Sequence, residues 1–245
     1  MATSLIAKRE EEVIGFLFGF YKFGGAGLPE PMQQRARGEF RVESQLLGML
    51  NEYRSHGIAF HLKKTQAELA LLNGINIVNW TVDPLQYGNA VLNFGKLKAI
   101  AFNFYRGYYD FNNVLNRVSA SRFGITWLPT TERVIKALEE SSSSTLQLPE
   151  TSDETIQRVN VGTDQLRFEA RSAKIAIELP ESWTRLQAED INLALKWRNT
   201  TDRLFEHYLG PAEGKYIITG LGKDAEKRFL IGERVDQKLI DRLSL

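Results

Sequence analysis

The sequence contains no cysteine, and only three of its 245 residues are histidines. Without cysteine the chain can form no disulfide, no thiolate metal site and no cysteine nucleophile. The histidines are His56, His61 and His207, a spacing that resembles no ligand set. We therefore predict no metal site, and we interpret His56 and His61 as surface residues.

The chain also lacks an excess of charge and a long apolar run. Lys and Arg total 31, Asp and Glu total 30, and the net charge is +1. This balance gives no bulk electrostatic reason to expect nucleic acid or a membrane as partner. No apolar run approaches the roughly 20 residues that span a bilayer. Residues Met1–Glu12 do not form a signal peptide, so a cytoplasmic location is expected.

The apolar content, 43%, is enough for one large domain or two small ones. Two short segments, Ser4–Ala7 and Val13–Tyr21, are predicted strands; the second is apolar on both faces and should be an interior strand. Strands and helices then alternate, which predicts an α/β sheet with at least one parallel crossover. The predicted order is Phe40–Leu50, helix Gly57–Asn73, Ile75–Val82, helix Gln86–Lys98 and Ala99–Tyr109.

The helix predicted at Gly57–Asn73 has an apolar stripe that should face the core. Ile58, Leu62, Leu69 and Leu72 recur on one face, whereas Lys63 lies elsewhere. The pair Asn73-Gly74 gives the helix a stop signal.

The C-terminal third follows a polar stretch, Glu139–Gln157, that contains no basic residue. We interpret this stretch as a linker or long loop. It divides the chain into a core, 1–138, and an α+β extension, 158–245. The elements predicted in the extension are strands Leu166–Arg171 and Lys174–Leu179, helix Asp190–Leu209, and a hairpin of Tyr216–Leu221 with Arg228–Gly232.

The segment Tyr53–Ala59 carries the strongest chemical signal, because it joins a predicted strand to a predicted helix. The first turn of a helix has unpaired N–H groups and the positive end of the helix dipole. A loop that gathers these groups can bind a phosphate or pyrophosphate. Gly57 allows close backbone approach, and Arg54 can add a charge-assisted contact. The pattern is equally compatible with an ordinary strand-to-helix turn.

This segment resembles the acyl-CoA-binding motif of the GNAT acetyltransferase superfamily, Gln/Arg-x-x-Gly-x-Gly/Ala. Further motifs in the same order are similar to a bacterial and archaeal branch that carries a C-terminal extension. These motifs are Asp83-Pro84-Leu85, Asn89-Ala90, Asn93–Leu97, Ser121-Arg122-Phe123, Glu178-Leu179-Pro180, Ala194–Arg198 and Tyr216–Gly220. The resemblance covers most of the chain from about Val13 onward.

The resemblance implies a GNAT-like mixed central sheet flanked by helices, with acetyl-CoA or another acyl-CoA as cosubstrate and no metal. Backbone N–H groups of the loop would hold the CoA pyrophosphate, and the preceding strand would pair with the pantetheine amides. The residues implied in CoA binding are Leu47, Met49, Leu50, Arg54, Ser55, His56, Gly57, Ile58, Ala59 and Asn89.

The implied chemistry is direct attack of an acceptor amine on the thioester, which requires a base for the amine and an acid for the thiolate. Glu43 is the candidate base, the alternative being a solvated or sheet-edge carboxylate. Phe94 occupies the position of the usual tyrosine acid and cannot donate a proton. Tyr105 is the candidate substitute, the alternative being a tyrosine that packs on the sheet.

The sequence departs from the resembled pattern in three further places. The N-terminal strand and helices of the family are expected to be missing, Ser121 replaces an aspartate, and Gln45 replaces a histidine. Two main hypotheses follow. The chain is either an N-acyltransferase that moves an acetyl or succinyl group to a small amine or amino acid, or a weak or inactive acyl-CoA-binding module. A binding protein for another phosphate ligand ranks last, because no P-loop pattern is present.

A missing first strand would leave a sheet edge with unpaired backbone groups. Either a second chain, giving a homodimer, or the C-terminal hairpin is expected to cover that edge.

Overall fold

The computed structural model describes residues 3–24, 28, 32, 40–109, 117–140 and 155–244. The chain falls into two compact units. The first comprises Met1–Trp80, Thr126–Ser144 and Ile240–Leu245, and the second comprises Thr81–Ile125 and Thr145–Leu239. Most of the linker predicted at Glu139–Gln157 lies outside the described residues. The division into 1–138 and 158–245 therefore stays a prediction.

The described residues contain twelve strands and six helices. The strands are β1 (Leu5–Arg9), β2 (Glu12–Phe23), β3 (Phe40–Met49), β4 (Val78–Val82), β5 (Ile100–Tyr109), β6 (Ala120–Trp127), β7 (Ile156–Arg158), β8 (Asn160–Val161), β9 (Gln165–Leu166), β10 (Lys174–Leu179), β11 (Tyr216–Asp224) and β12 (Lys227–Arg234). The helices are α1 (Ile58–Leu72), α2 (Tyr87–Ala90, continued by the π-helical turn Val91–Lys96), α3 (Glu132–Glu140), α4 (Trp183–Glu189), α5 (Ile191–Tyr208) and α6 (Gln237–Ser244). The predicted mixed α/β class is confirmed.

In the first unit, β1, β2 and β3 form an antiparallel sheet, and the start of β4 pairs with β3 in parallel. Parallel neighbours need a crossover connection, and α1 supplies it. The predicted crossover is therefore confirmed. Its boundaries also follow the sequence, since α1 begins after Gly57 and ends at the Asn73-Gly74 stop.

Strand β2 lies between β1 and β3, as its apolar sequence predicts, but it is buried on one face only. Leu17 is fully buried, whereas Phe16, Phe18 and Phe20 are each more than 40% exposed. An antiparallel sheet can leave one face to solvent, unlike a parallel sheet covered on both sides. The first unit therefore has an open aromatic sheet face.

The expected apolar face of α1 is confirmed at Leu62, which is 7% exposed, and is wrong at Leu72. Leu72 is 81% exposed, whereas the buried residues of the helix include Lys63 and Gln66. Both polar side chains have specific partners: Lys63 contacts Ser44, and the Gln66 amide donates to the carbonyl of Thr3 at 2.7 Å. The buried face therefore combines apolar residues (Phe60, Leu62, Ala67 and Ala70) with two polar residues whose hydrogen-bond partners lie elsewhere in the chain.

The sheet of the second unit has the strand order β6, β5, β11, β12, β10 and β7. The predicted hairpin is confirmed as β11 and β12. Its outer edges are already paired, with β5 on one side and β10 on the other. The hairpin therefore has no free edge with which to cover the first strands, and that expectation is wrong. A homodimer stays a prediction.

The strand predicted at Leu166–Arg171 is also wrong beyond Leu166. Beyond the Arg167 N–H, which donates to the carbonyl of Val159 at 2.9 Å, several of its backbone groups bond to side chains. Tyr208 donates to the carbonyl of Arg167 at 2.8 Å and accepts from the N–H of Ala170 at 3.2 Å. Buried backbone groups need partners, and here side chains supply them.

Phenylalanines dominate the core of the second unit. The rings of Phe94, Phe104 and Phe205 surround Phe123, with centroids 4.7–6.4 Å from its ring. Phe94 is only 1% exposed. This position, where the resembled family has a tyrosine, is therefore occupied by a core residue.

Candidate functional site

The candidate loop begins where β3 ends. The chain forms a 3₁₀ turn at Asn51–Tyr53, in which Tyr53 N–H donates to the carbonyl of Leu50 at 3.1 Å. Two residues that follow have left-handed backbone angles, Ser55 with φ 66° and Gly57 with φ 81°. Left-handed residues reverse the chain tightly, and glycine adopts that conformation without steric cost. The turn therefore delivers the backbone directly into α1.

The N-terminus of α1 is open. Gly57 is the N-cap residue, and no side chain caps this end. The carbonyl of Gly57 accepts from Phe60 and His61, at 3.0 and 3.2 Å. The N–H groups of Ile58 and Ala59 precede these bonds and have no helical acceptor. A Cβ built on Gly57 would meet nothing within 4 Å, so the space beside this residue is open.

The loop side chains lie at the surface. Arg54, Ser55 and His56 are exposed, and Ile58 and Ala59 are partly buried. The imidazole Nδ1–H of His56 donates to the carbonyl of Arg54 at 2.8 Å, which holds the ring against its own loop. The expected surface location of His56 and His61 is confirmed. The structure thus brings the loop residues predicted from sequence into one exposed turn.

Strand β3 has a free edge that leads to this loop. Its pairing with β4 stops after Val42 with Val78 and Glu43 with Asn79. From Ser44 to Met49, no strand in the described part of the chain pairs with this edge, although β2 continues along the other. Within the first unit, β3 and β4 therefore stop pairing after Glu43 and Asn79, and we call this point, at Ser44 and Trp80, the fork. Such an edge offers backbone groups to an extended ligand.

The predicted pantetheine-contacting residues lie on this segment. Leu47 and Leu50 are each 39% exposed, and Met49 is partly buried with its sulfur against Gly15. The main-chain groups of Leu50 are already used, because its N–H donates to Ile14 and its carbonyl accepts from Tyr53. Their roles in binding stay predictions.

A β-bulge lies at the fork. Phe18 pairs with Leu46 and Phe20 with Glu43, so β3 has one extra residue opposite Gly19. A Cβ on Gly19 would lie 2.6 Å from the Gln66 amide nitrogen and 3.0 Å from the Thr3 carbonyl oxygen, so a larger residue would displace the Gln66 side chain. Bulges redirect side chains and often lie beside functional sites.

Glu43, the candidate base, lies at the last paired position before the fork. Its side chain is 14% exposed, and one carboxylate oxygen lies 3.9 Å from Lys22 Nζ and 3.9 Å from Arg41 Nε. Glu43 is therefore an ion-paired carboxylate beside the opening. Its role as base stays a prediction.

Lys63 is the residue of this region that sequence reasoning missed. It is 2% exposed, its Nζ donates to Ser44 Oγ at 2.8 Å, and Nζ lies 3.5 Å from the centroid of the Trp80 ring. Burial lowers the pKa of Lys63 well below its ordinary value of 10.5, and the negative charge of Glu43 partly offsets this effect. Because Ser44 and Trp80 are distant in the sequence, no local pattern could have indicated the contact.

Two predicted site residues belong to the second unit. Asn89 is exposed on α2, and its N–H donates to the carbonyl of Gln86 at 3.0 Å. Tyr105 on β5 is 42% exposed, and its ring centroid is 5.7 Å from that of Tyr108. The structure describes each within its own unit, and their roles stay predictions.

The carboxylate that the sequence lacks at position 121 is supplied by α5. Ser121 donates to Asp202 Oδ2 at 2.7 Å, and Asp202 is 3% exposed. Burial raises the pKa of Asp202 to about 6, against the lowering effects of the Ser121 hydrogen bond, Arg198 and Arg106. A serine at 121 therefore still leaves a carboxyl group at this place.

Neither a metal cluster nor a membrane-spanning helix is found in the part of the chain that the structure describes. No group of three or more His, Asp and Glu side chains there could hold a metal ion. No described helix is both long enough and apolar enough to cross a bilayer.

Comparison with known proteins gives matches among solved structures only. No protein-family model matches the chain, and no curated protein matches it. The NatC complex bound to Gag peptide and CoA is similar over 51% of this chain and 70% of its own, with 15% identity and a TM-score of 0.41. NAA60 of Arabidopsis thaliana, in complex with a bisubstrate analogue, is similar over 48% and 66%, with 21% identity and a TM-score of 0.40.

An IAA acetyltransferase from Bacillus cereus is similar over 51% of this chain and 76% of its own, with 15% identity and a TM-score of 0.40. Each likeness covers about half of the chain. The function proposed below is therefore inferred from the geometry of the loop and the fork.

Proposed function

We propose that this chain is an acyl-CoA-dependent N-acyltransferase of the GNAT type. It would move an acetyl or succinyl group from CoA to the amine of a small molecule or amino acid. The main observation in support is the uncapped N-terminus of α1 at Gly57, which follows the free edge of β3. A pyrophosphate fits the first feature and an amide-containing arm fits the second.

Each part of a CoA ester would have its own place along β3 and the loop. The N–H groups of Ile58 and Ala59, with Arg54, would hold the pyrophosphate. Backbone groups of the β3 edge, near Leu47 and Met49, would pair with the pantetheine amides. The thioester would then lie toward the fork, where Glu43 can receive a proton from the attacking amine.

Release of CoA thiol tests this proposal. Purified protein is incubated with acetyl-CoA or succinyl-CoA and a panel of amines and amino acids, and a thiol reagent follows free CoA. We expect turnover that requires both an acceptor and an intact loop, with Gly57→Glu inactive. CoA binding without turnover for any amine would contradict the enzymatic assignment.

The alternative is an acyl-CoA-binding module with little or no turnover. Phe94 favours it, because a buried phenylalanine at the family's tyrosine position can donate no proton. The same assay separates the two functions, since a module would bind CoA esters and release no thiol above the uncatalysed rate.

A further inference from the structure

The fork encloses a cation at its closed end. Glu43 and Asn79 are the last paired residues of β3 and β4. The next residue on each strand, Ser44 and Trp80, contacts the ammonium group of Lys63. The Lys63 Nζ therefore lies at the point where the two strands begin to separate.

This ammonium group is only partly satisfied. It has three N–H donors, and Ser44 Oγ is its single hydrogen-bond acceptor among the described residues. The Trp80 ring adds a cation–π contact. No carboxylate of the described chain lies within salt-bridge distance of it. A buried charge with so few partners is costly. Ionisable groups whose pKa is strongly shifted by burial are frequent at functional sites.

Burial favours loss of the Lys63 proton, whereas Glu43 opposes that loss. Ser44 on β3 and Trp80 on β4 are neutral, and Glu43 is the charged group that acts on it. The Glu43 carboxylate also forms ion pairs with Lys22 and Arg41. Burial outweighs the attraction of Glu43, so the pKa of Lys63 is well below that of an exposed lysine. An acid of this kind can give up a proton more readily than an ordinary lysine.

We propose that Lys63 is the general acid of the acyl-transfer site, where its ammonium group protonates the departing CoA thiolate. This inference rests on the proposed acyl-CoA function. It assigns the step that Phe94 cannot perform.

The step balances as follows. The acceptor nitrogen forms a bond to the acyl carbon, the carbon–sulfur bond breaks, and its electron pair stays on sulfur. Lys63 donates a proton to that sulfur and gives CoA thiol. The proton lost by the amine passes to water, through Glu43 if Glu43 is the base, and neutral Lys63 regains a proton from water.

A titration of bound CoA tests the inference without an acceptor. Ultraviolet absorbance of the thiolate is followed against pH for free CoA and for CoA bound to the wild type, Lys63→Met and Lys64→Met. Lys64 is the matched control, because it is the neighbouring lysine and its Nζ contacts the carbonyl of Leu138 instead. Calorimetry first establishes that each protein binds CoA.

We expect the thiol bound to the wild type and to Lys64→Met to ionise about 1–3 pH units below the thiol bound to Lys63→Met, the range for an adjacent opposite charge. Lys63→Arg should keep the low thiol pKa but lose about 100-fold in kcat, because an arginine retains its proton. A purely structural role for Lys63 would not shift the thiol titration.

The two proposals fail in different ways. If no protein binds CoA, the acyl-CoA function is wrong and the assignment of Lys63 falls with it. If CoA binds and its thiol titrates alike in the wild type and Lys63→Met, only the assignment of Lys63 is overturned. Should Lys63→Met not fold, a wild-type-bound thiol that titrates at or above the pH of free CoA gives the same contradiction.

Discussion

The two long helices, α1 and α5, each bury a cation, but they accommodate it differently. On α5, Arg198 is 2% exposed and donates to Asp83 Oδ2 at 2.7 Å, and the ring of Trp183 lies 4.8 Å away. On α1, Lys63 is equally buried but has a neutral hydroxyl and an indole ring as its neighbours. One cation is paired with a carboxylate, and the other is not.

The N-termini of these helices differ in the same way. Asp190 caps α5 by accepting from the N–H of Leu193 at 2.9 Å, whereas α1 begins at Gly57 without a side-chain cap. Buried charges and helix ends are normally satisfied within the protein. The comparison therefore concerns charge and capping: α5 has a carboxylate for its buried cation and a side-chain cap, and α1 has neither. We interpret the uncapped end of α1 and its cation without a carboxylate partner as features of a ligand site.

Removing Asp83, the carboxylate partner of Arg198 on α5, should have the largest effect on the unfolding free energy. Asp83→Ala removes the carboxylate to which Arg198 donates and leaves only Asp202, 3.9 Å from Arg198 Nη1, as a counter-charge. Breaking a buried ion pair in this way costs about 3–5 kcal/mol of unfolding free energy. Urea denaturation measures this loss, with Glu226→Ala, at an exposed turn residue, as the control. A loss below about 1 kcal/mol would mean that the Asp83–Arg198 pair is not structural.

Asp202 should make stability depend on pH in an unusual direction. Its pKa is raised from 3.8 to about 6 in the folded protein, so the native state binds more protons than the unfolded state between these values. Stability therefore falls as pH rises from about 4 to about 6, by on the order of 2–3 kcal/mol.

Asp202→Asn should flatten this fall, because an amide does not ionise. Urea denaturation across that pH range measures it, and Glu206→Gln, which alters an exposed carboxylate of the same helix, is the matched control. An unchanged pH slope in the Asp202→Asn protein would contradict the assignment of the raised pKa to Asp202.

At the open end of α1, Gly57→Ala should cost about 1 kcal/mol. The cost comes from the left-handed φ of 81°, since the added Cβ meets no atom within 4 Å. Because this cost is a backbone strain, the loss of unfolding free energy should be the same in buffers with and without anions that could bind the loop. No loss of stability would show that the loop relaxes to a right-handed conformation.

Of these variants, Lys63→Met should change the unfolding free energy least. At pH 7 we expect its unfolding free energy to equal or slightly exceed that of the wild type. Methionine keeps an apolar stem and removes a buried charge that no carboxylate balances. Because the folded-state pKa of Lys63 is lowered, the unfolded state binds more protons below pH 10.5. Wild-type stability should therefore rise with pH in that window relative to the variant. A constant difference between the two proteins would contradict the lowered pKa.

The sequence predicts the boundaries of α1 but only part of its buried face. Gly57 and the Asn73-Gly74 pair act locally, so they can be read from neighbouring residues. Burial of Lys63 depends on Ser44 and Trp80, which the sheet topology brings together. The pairing of Asp83 with Arg198 likewise joins residues 115 positions apart. Local patterns carry no information about such contacts, and for the same reason the sequence indicates the loop but not the fork.

Thermal unfolding with and without CoA tests the central claim most directly, namely that the open end of α1 binds a CoA ester. CoA at about 100 times its dissociation constant should stabilise the wild type by about 2.7 kcal/mol, which raises the unfolding midpoint by roughly 5–10 °C. Gly57→Glu places a carboxylate over the loop and should abolish the shift. No shift in the wild type, or an equal shift in Gly57→Glu, would contradict the account.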